Sequence, residues 1–589
     1  MSDRPALFGV TASVTGRRWL GPDAAVERLG LAIAQAAEVP EIVGRVLAAR
    51  GVLPEDAVSY LEPRLRDLMP DPSMLADMDV AAERLVRAVR DGQAVAIFGD
   101  YDVDGAASAA LLRLWLGAMG TAATVYIPDR IDEGYGPNVP AMQALSAAHD
   151  LIVCVDCGTL SHEPLAAARD AGAEVIVVDH HLAGETLPPA VAVVNPNRHD
   201  DASAQGHLCA AGVVFLLLVA ANRLIRVAGG REVPLIDLLD LVAVATVADV
   251  APLIGLNRAF VRQGLAVLAR RGRPGLAALA DVARLRAPPG SRDLGFVLGP
   301  RINAGGRVGR AGLGVELLTT ADPAVAARLA AELDLLNEER RRIEAEVLDA
   351  AIRQVETRDP AAPLAWAAGP GWHPGVVGIV AARLKERFNR PAVVIGIDAG
   401  EGKGSGRSIP GVDLGSAVGA LAREGVLIKG GGHRMAAGLT VAEDRLEDAM
   451  AELAALLARQ GAGAEGPRDL RIDGSLSPAA ATAELVAHLE AAGPFGQANP
   501  APRLAFGDVI PSGARIVGQG HCQIRLSAPG RGGALAGIAF GARDSGIAEL
   551  FEARAAARAP VHVAGRLEID DWGGTRRAKL RIEDAAPAS

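Results

Sequence analysis

Five short polar segments in the first half of the chain begin where apolar runs stop. They carry carboxylates, histidines or asparagines and lie at Gly99–Gly105, Val155–Gly158, Asp179–His181, Asn195–Asn197 and Ala248–Pro252. In an open parallel sheet the ligand crevice lies beyond the carboxyl ends of the strands, so acidic and imidazole groups delivered there converge. The pattern therefore predicts a parallel α/β domain whose crevice binds metal ions, and it favours a two-metal hydrolase.

Composition agrees with a large enzyme of a reducing compartment. The chain has 589 residues, half of them apolar, which is enough for three or four domains. Its four cysteines are too few for a disulfide framework, and the amino terminus lacks the layout of a signal peptide. Apolar runs such as Val213–Ala221 stop short of the roughly 20 residues that a membrane span needs. We expect a soluble, cytoplasmic protein without a membrane segment.

Net charge hides a local asymmetry. The whole chain carries a net charge of −10, which taken alone argues against a polyanionic substrate. Between residues 261 and 310, however, ten arginines stand against Asp281 and Asp293, an excess of eight positive charges. These arginines are at positions 262, 270, 271, 273, 284, 286, 292, 301, 307 and 310. The stretch predicts a basic surface that could hold phosphates, and the alternative is a solvated arginine-rich helical surface.

Strand-like and helical patterns alternate between residues 80 and 320. The apolar runs that indicate strands are Val95–Phe98, Thr124–Ile127, Leu151–Val155 and Val175–Val178. Helical patterns lie between them, at residues 105–119, 140–148 and 164–171. Such alternation is typical of a parallel sheet with crossover helices. We therefore predict an α/β domain at residues 80–320, preceded by a helical segment at residues 1–79.

The second half of the chain begins with a long helical pattern. Residues 323–357 are rich in Ala, Leu, Glu and Arg and contain no Gly or Pro after Pro323, which predicts a connecting helix at residues 321–358. A second, smaller α/β domain is expected at residues 359–462, with strands near Leu364–Ala367 and Ala392–Ile397. Short alternating segments then favour a small antiparallel β-barrel at residues 463–589, with a disordered tail at Ala585–Ser589.

The first polar segment places three carboxylates at alternate positions, Asp100, Asp102 and Asp104, directly after a strand. Hard divalent cations prefer oxygen ligands, and side chains two residues apart in a turn can serve adjacent metal ions. The alternative is a helix cap by Asp104, which explains one of the three aspartates. A metal site explains all three.

Asp156, His180, His181 and Asp249 extend this set. Asp156 follows a central strand, where one carboxylate can bridge two cations. Adjacent histidines of an extended segment point apart, so we assign His180 as a metal ligand and His181 to the reacting phosphate. Imidazole together with carboxylates suits Mn²⁺ as well as Mg²⁺.

Cys154 and Cys157 have the spacing of half a zinc or redox motif. No second pair completes a zinc site, so we interpret Cys154 as a buried strand residue and Cys157 as a small side chain in a crowded turn.

Together, Gly99–Gly105, Asp156, Asp179–His181 and Asp249 resemble the motifs of the DHH phosphoesterase superfamily. Further segments resemble its second, substrate-gripping DHHA1 domain, namely Trp372–Val380, Gly402–Ser408 and Gly430–His433. Others are similar to the superfamily's bacterial single-strand-specific DNA exonucleases, namely Pro128–Arg130 with Glu133–Gly136, Gly299–Arg307, and Gly493–Gly496 with Asn499–Pro500. The similarity runs from about residue 40 to the carboxyl terminus.

The resemblance implies a fold of two α/β domains, a parallel-sheet DHH domain and a smaller DHHA1 domain, joined by a long helix and followed by an OB-fold barrel that binds single strands. It implies 5′ to 3′ release of 5′-mononucleotides from single-stranded DNA, in recombination and repair. Two divalent cations, Mn²⁺ or Mg²⁺, would activate the attacking water and stabilise the leaving oxygen. A monomer is implied, with a RecQ-type helicase and a single-strand-binding protein as partners.

The resemblance also implies a role for individual residues. The implied metal ligands are Asp100, Asp102, Asp104, Asp156, His180 and Asp249, and the implied catalytic residues are Asp156, His181 and Asp104. The implied substrate-binding residues are Arg130, Arg301, Ser405, Arg407, Gly431, Gly432 and His433. One position departs from the family pattern, because relatives with a His-x-x-x-Asp-x-Asp motif have a histidine ligand where this chain has Phe98. We expect Asp100 to take that ligand's place.

Three alternatives stay open. The first is a phosphodiesterase of the same superfamily that acts on oligonucleotides or cyclic dinucleotides, or a manganese pyrophosphatase; such enzymes are shorter and lack the long helix and the barrel. The second is a non-catalytic scaffold with degenerate metal ligands. The third is a pure single-strand-binding module built on the barrel, for which Phe495, Phe506 and Trp572 are equally candidates for the core or for a stacking platform.

Overall fold

The computed structural model describes residues 4–130, 133–463, 469–530, 533–571 and 575–588. The chain divides into two compact units. One unit contains Pro70–Ala251 and Gln263–Glu465, and the other contains Met1–Met69, Pro252–Arg262 and Gly466–Ser589. The domain limits expected from the sequence stay predictions. Strands and helices are numbered below in chain order.

The amino-terminal segment is mainly helical. Its elements are β1 (Arg18–Leu20), α1 (Ala24–Ala36), α2 (Glu41–Ala49), α3 (Ala57–Leu61) and α4 (Leu65–Leu68). Helices α1 and α2 pack closely because glycines face each other: a Cβ at Gly44 would lie 2.1 Å from the carbonyl oxygen of Gly30. The buried residues of α2 share one hydrophobic core with the carboxyl-terminal barrel of the same unit.

A five-stranded parallel sheet forms the first α/β region. Its elements are α5 (Met78–Arg90), β2 (Val95–Gly99), α6 (Val103–Ala118), β3 (Ala123–Tyr126), α7 (Val139–Ser146), β4 (Leu151–Val155), α8 (His162–Asp170), β5 (Glu174–Val178) and β6 (Ala192–Val194). The strand order is β3-β2-β4-β5-β6. Strands β2 and β4 are buried throughout, as expected for the centre of a covered parallel sheet. The predicted parallel sheet is confirmed.

Helices complete this region. They are α9 (Ala210–Val227), α10 (Leu239–Ala248), α11 (Gly255–Leu268), α12 (Pro274–Val282), α13 (Ser291–Asp293), α14 (Gly299–Val308) and α15 (Leu313–Thr319). A π-helical turn, Leu294–Leu298, joins α13 to α14. By length and mean hydropathy (1.9) α9 could cross a membrane, but 72% of it is buried inside the fold, where it contacts α5 and α6. Its composition is that of a core helix.

The long connecting helix is present as α16 (Pro323–Glu356). Its 34 residues correspond to a length of about 50 Å at 1.5 Å per residue. Asp322 caps its amino terminus by accepting hydrogen bonds from the amides of Ala324 and Val325. Along its length α16 contacts α12, α14 and the first helix of the second α/β region.

The second α/β region is a mixed five-stranded sheet in the order β10-β11-β9-β8-β7. Its elements are β7 (Ala365–Pro370), α17 (Pro374–Phe388), β8 (Ala392–Asp398), β9 (Glu401–Arg407), α18 (Leu414–Arg423), β10 (Lys429–His433), β11 (Ala436–Ala442) and α19 (Leu446–Arg459). Strands β7 and β8 are parallel and the other neighbours are antiparallel. The glycine-rich motifs on β9 and β10 are therefore strands, and β10 is an edge strand.

The carboxyl-terminal region is a closed barrel with OB-fold topology. Its elements are β12 (Asp469–Arg471), β13 (Gly474–Ser475), α20 (Ala483–Ala491), β14 (Leu504–Val517), β15 (His521–Ser527), β16 (Ala534–Ala539), α21 (Ile547–Ala557), β17 (Val561–Asp570) and β18 (Arg577–Pro587). Pairing of β14 with β17 closes it. The barrel is not wholly antiparallel as expected, because β16 and β18 pair in parallel.

Two further expectations about this region are corrected or resolved. The tail expected to be disordered is ordered through residue 588, because Ala585 pairs with Val563 in the barrel. Phe506 is fully buried in the core and Phe495 packs against that core, so neither is an exposed platform. Trp572 and Ser589 lie outside the described residues.

Candidate metal centre

The carboxylates of the first polar segment have distinct local roles. Strand β2 ends at Gly99, and Asp102 caps α6 by accepting hydrogen bonds from the amides of Asp104 (2.8 Å) and Gly105 (3.1 Å). The cap is therefore Asp102 and not Asp104, contrary to the alternative drawn from the sequence. Asp104 instead accepts hydrogen bonds from Ala210 (2.7 Å) and Ala211 (2.8 Å) at the amino terminus of α9. The partial positive charge of that helix end favours a carboxylate.

Asp156 lies directly after β4 in a left-handed backbone conformation (φ 60°), and its side chain is buried. Its Oδ1 atom, the Oδ1 atom of Asp100 and the Nε2 atom of His180 are buried without a hydrogen-bond partner among the described residues. An unpaired buried polar atom is costly, and three together indicate that a ligand satisfies them.

All six ligands expected from the sequence come together in three overlapping groups. These groups are Asp100 with Asp102 and Asp156, Asp104 with His180 and Asp249, and Asp156 with His180 and His181. His180 Nε2 lies 3.3 Å from Asp156 Oδ1, 3.7 Å from Asp104 Oδ2 and 3.9 Å from Asp249 Oδ2. Asp156 and His180 each belong to two groups, so they occupy the centre of the cluster.

The electrostatics of the cluster favour bound cations. Burial and the charge of Asp104 raise the pKa of Asp249 to about 9. Burial and the neighbouring carboxylates likewise raise the pKa values of Asp100 and Asp156 well above their usual range. Close, buried carboxylates repel one another until a cation neutralises them. An oxygen-rich donor set with one imidazole fits hard or borderline divalent cations such as Mg²⁺ and Mn²⁺.

The two histidines do not diverge as expected. The chain bends after β5, so the rings of His180 and His181 lie 4.5 Å apart by their centroids. His181 Nδ1 is 4.0 Å from Asp156 Oδ1, and so both rings face the same carboxylate. The expectation that adjacent residues point apart was wrong, because the segment is not extended.

Asp179 orients His181, a role that sequence reasoning missed although the residue belongs to the motif. Its Oδ1 accepts a hydrogen bond from His181 Nδ1 (2.8 Å) and its Oδ2 accepts one from the amide of Thr159 (3.1 Å). Burial alone would lower the pKa of His181, but the hydrogen bond and charge of Asp179 outweigh it and raise that pKa to about 9. Tyr135 donates from its hydroxyl to the carbonyl oxygen of Asp156 (3.1 Å) and lies 3.2 Å from His181 Nδ1.

Arginines without acidic partners lie near the carboxylates. The Arg130 guanidinium sits 4.8 Å over the ring of Tyr101, the residue between Asp100 and Asp102. Burial and the charge of Arg130 lower the pKa of Arg407, and the same causes lower the pKa of Arg307 to about 10. Among the described residues, no ion pair is formed by these three arginines, which suits them to an anionic ligand such as a phosphate. Arg307 and nearby His373, whose pKa is lowered by burial and by Arg130, belong to motifs found in the sequence but were given no individual role there.

The predicted substrate-binding residues of the second α/β region fall into two places. Arg407 Nη1 donates to Ser405 Oγ (3.0 Å), and a Cβ at Gly378 would lie 3.0 Å from that oxygen, which explains the glycine of α17. Gly431, Gly432 and His433 lie on the edge strand β10. Among the described residues, no hydrogen bond or ion pair joins these three to the arginines or the aspartates. Their role stays a prediction.

The basic stretch is less basic than its sequence indicates. Five of its ten arginines form ion pairs, namely Arg270 with Asp237, Arg271 with Asp281, Arg273 with Asp240, Arg301 with Asp334 and Arg310 with Glu316. Four of the five acids lie outside the stretch, so counting charges within it overstated the local excess.

The cysteines are buried in the described structure. Cys154 lies in β4, and Cys157 donates a weak hydrogen bond from Sγ to the carbonyl oxygen of Val155 (3.4 Å). Within the described residues, the groups able to hold a metal ion contain no cysteine.

Three family models match the chain. They are the DHH family, N-terminal domain, at residues 94–246, the DHHA1 domain at residues 361–459 and the RecJ OB domain at residues 472–584. The first covers the parallel sheet and the aspartate–histidine cluster except Asp249. The third covers the barrel.

The chain is also similar to named proteins over most of its length. The single-stranded-DNA-specific exonuclease RecJ of Dickeya dadantii is 39% identical over 573 residues, which is 93% of this chain and 96% of the relative. The RecJ of Escherichia coli is 37% identical and covers 94% of this chain and 96% of its own. The crystal structure of RecJ with Mn²⁺ from Thermus thermophilus superimposes with a TM-score of 0.80 at 30% identity, covering 96% of this chain and 79% of that one.

Proposed function

The chain belongs to the RecJ family of single-stranded-DNA-specific exonucleases, and from that premise we propose which of its residues perform the reaction. It is a metal-dependent exonuclease that acts on single-stranded DNA in recombination and repair. The proposed reaction is hydrolysis of the 5′-terminal phosphodiester with release of 5′-mononucleotides in the 5′ to 3′ direction. The observation that carries the assignment of residues is the overlap of three potential metal-binding groups on Asp156 and His180.

Two divalent cations, Mn²⁺ or Mg²⁺, are the proposed cofactors. The proposed ligands are Asp100, Asp102, Asp104, Asp156, His180 and Asp249, with Asp156 shared. Such cations lower the pKa of a bound water and stabilise the attacking and leaving oxygens of a phosphodiester. Phe98 cannot ligate, since a phenyl ring has no donor atom, and here the ring is fully buried and stacks on Tyr126 at 5.4 Å. We propose that Asp100, whose Oδ1 has no hydrogen-bond partner in the described part of the chain, supplies the missing ligand.

The remaining residues bind the phosphate and hold protons. Arg130, Ser405 and Arg407 are proposed to bind the phosphate at the reacting end, where arginine can donate two parallel hydrogen bonds. Asp179 accepts the hydrogen bond from Nδ1 of His181, so Nε2 of the same ring can donate its proton to a phosphate oxygen. Asp104 is held by the amides of Ala210 and Ala211, so its carboxylate is fixed before the substrate arrives.

The setting of the enzyme is proposed from its substrate. An enzyme that degrades chromosomal DNA strands acts in the bacterial cytoplasm, and we propose that location here. A RecQ-type helicase and a single-strand-binding protein are proposed partners, because both generate or hold the substrate. The barrel is proposed to hold the strand, as OB-folds do, and the enzyme is proposed to act as a monomer.

The proposed reaction is tested with a single strand labelled at its 5′ end, in the presence of Mn²⁺. We expect rapid release of the label as a mononucleotide, while a strand labelled at the 3′ end first yields progressively shorter products. Blunt duplex of the same sequence is the control and should retain its label. Binding of the strand without release in Mn²⁺ or Mg²⁺ would instead favour the non-catalytic scaffold. Preferential hydrolysis of dinucleotides over long strands would favour a small-substrate phosphodiesterase.

Replacing Asp179 by asparagine is expected to lower kcat by about 10- to 100-fold, as for other groups that orient residues at metal sites. The reason is that His181 loses the charge that holds its ring in place and keeps it protonated. Steady-state cleavage of a labelled strand measures kcat, and a Mn²⁺ titration followed by electron paramagnetic resonance measures metal binding. Asp170→Asn, at the exposed end of α8, is the matched control and should behave like the parent. An unchanged kcat in Asp179→Asn would remove His181 from the proposed mechanism.

Replacing Arg301 by alanine is expected to weaken DNA binding by about 3- to 10-fold, the effect of one phosphate contact, with metal binding intact. Arg301 also pairs with Asp334 through Nε (2.8 Å) and donates to the carbonyl oxygen of Val297 (2.8 Å). The loss of these structural contacts must therefore be distinguished from the loss of a phosphate contact. Asp334→Asn breaks the same ion pair while keeping the arginine. If Asp334→Asn weakens binding as much as Arg301→Ala, Arg301 acts through the ion pair and does not contact the phosphate.

A further inference from the structure

A groove of about 840 Å³ lies along α16, between the α13–α14 segment on one side and α17 on the other. We call it the arginine groove. Six of its lining residues are arginines and its one lining acid is Glu344. Glu344 is already paired with Arg340 (2.6 Å) and lies 3.6 Å from Arg383. Arg301 pairs with Asp334 (2.8 Å) and Arg383 lies 3.7 Å from Glu386. The positive charge of the groove therefore comes from Arg292, Arg307 and Arg341, which form no ion pair among the described residues.

Two of the groove's arginines are exposed and form no ion pair with a described residue. Arg292 lies on α13 and Arg341 on α16, and among the residues that the structure describes neither forms an ion pair. Solvated arginines that line one groove can each meet a phosphate at little cost in desolvation. They supply the backbone-binding element of a nucleic-acid groove.

An aromatic side chain lies beside them. Phe296, in the π-helical turn between α13 and α14, lines the groove with 77% of its surface exposed. An exposed phenylalanine is unfavourable in water, and π-helical turns frequently occur at functional sites. Proteins that bind single strands without sequence preference combine a positive groove with aromatic rings on which bases stack. Phe296 and the free arginines reproduce this combination.

The groove adjoins the metal centre through Arg307. Arg307 lines the groove, donates from Nη1 to the carbonyl oxygen of Gly375 (2.9 Å) on α17, and interacts electrostatically with Asp102 of the metal cluster. Arg307 therefore belongs to the groove lining and is also within electrostatic reach of the metal cluster.

We propose that the arginine groove holds the part of the single strand that follows the reacting 5′ end, with phosphates on Arg292 and Arg341 and a base stacked on Phe296. The proposal rests on the function proposed above and extends it, because it assigns a preference for long strands to residues outside the metal centre. An acidic peptide has the same charge but lacks the stacked planar bases that Phe296 suits. It is therefore an alternative outcome of the test.

The test measures binding of the full chain to (dT)30 and (dT)4 carrying a 3′ fluorophore, by anisotropy in EDTA, where cleavage is blocked. The Arg292→Ser/Arg341→Ser variant should bind (dT)30 about 10-fold more weakly and lower the slope of log Kobs against log[salt] by about 1.4, which is 0.7 for each lost contact to a single strand. Its preference for (dT)30 over (dT)4 should shrink. Phe296→Ala should weaken (dT)30 binding by at least about 5-fold with the salt slope unchanged.

The matched control is Arg353→Ser, which removes an exposed arginine from the same helix α16 but outside the groove, and it should bind like the parent. All the substituted side chains are exposed, so the variants are expected to fold, and circular dichroism checks this. An unchanged salt slope and an unchanged length preference in the double arginine variant would overturn the proposal. So would weaker binding of polyglutamate with no effect on (dT)30, which would assign the groove to an acidic peptide. Failure of the parent to cleave a strand in Mn²⁺ would instead refute the proposed function. The binding results would then still show whether the groove binds single-stranded DNA.

Discussion

Replacing Asp156 by asparagine is expected to reduce cleavage of single-stranded DNA by more than about 10³-fold, because a residue shared by two groups of potential metal ligands is lost. The same substitution should raise the melting temperature of the metal-free protein. Asp156 is 2% exposed, and its pKa is raised by burial and then by the charge of Asp104. Removing a buried charge that its neighbours repel stabilises the fold, provided that no cation compensates the repulsion.

The two effects are separated by thermal unfolding in EDTA and in Mn²⁺, alongside cleavage of a 5′-labelled strand. In EDTA the variant should melt above the parent. In Mn²⁺ the parent should gain more stability than the variant, because a cation that binds the folded state stabilises it by mass action. Asp150→Asn is the matched control, since Asp150 precedes the same strand β4 at its other end and accepts a hydrogen bond from the amide of Ala94 (2.9 Å). A variant that keeps the parent's cleavage rate would remove Asp156 from the centre of the site.

The parallel sheet and the metal cluster could be predicted from the sequence for the same physical reason. Strands buried on both faces are continuous apolar runs, and the first polar residues after them must lie at one edge of the sheet. Asp100, Asp156 and His180 follow three such strands, and the structure brings them together. What this reasoning cannot supply is the path of the chain after a strand. The bend after β5, which turns His181 towards Asp156, depends on the hydrogen bonds of Asp179 and leaves no periodic signal.

Glycine-rich strands and ion pairs between distant residues could also not be predicted from the sequence. Strands β9 and β10 contain too few side chains to alternate, so they resemble loops, and they are strands because β11 pairs with both of them. Strand β16 (Ala534–Ala539) also consists largely of small residues and gives a similarly weak strand signal. Arginines of the basic stretch form ion pairs with acids that are distant in sequence, such as Asp240 and Asp334. Only the packing of helices brings these acids close to the arginines, so the pairing could not be predicted from the sequence.

Replacing Arg307 by methionine is expected to lower kcat/KM on a single strand by about 10²- to 10³-fold, the usual effect of removing a positive group that stabilises a reacting oxyanion. Arg307 is partly buried and forms no ion pair among the described residues, although Asp102 is within electrostatic reach. Its pKa is lowered by burial and by the charges of Arg130 and Arg340. A cation placed in this way is unfavourable in the free enzyme. It becomes favourable when the phosphate of a bound strand lies between the arginines and the metal centre.

The stability of the variant distinguishes this role from a structural one. If Arg307 serves the substrate, Arg307→Met should melt at or above the temperature of the parent, because its one described hydrogen bond, to Gly375, is offset by the relief of repulsion from Arg130. Arg84→Met is the matched control, since Arg84 is a buried arginine that pairs with Glu174 at 2.7 Å. That variant should lose stability by about 1–3 kcal/mol, the cost of losing hydrogen bonds to a charged group, while keeping kcat/KM at a temperature where it is folded. A loss of stability in Arg307→Met equal to that of Arg84→Met, with kcat/KM unchanged, would show that Arg307 supports the fold and does not bind the phosphate.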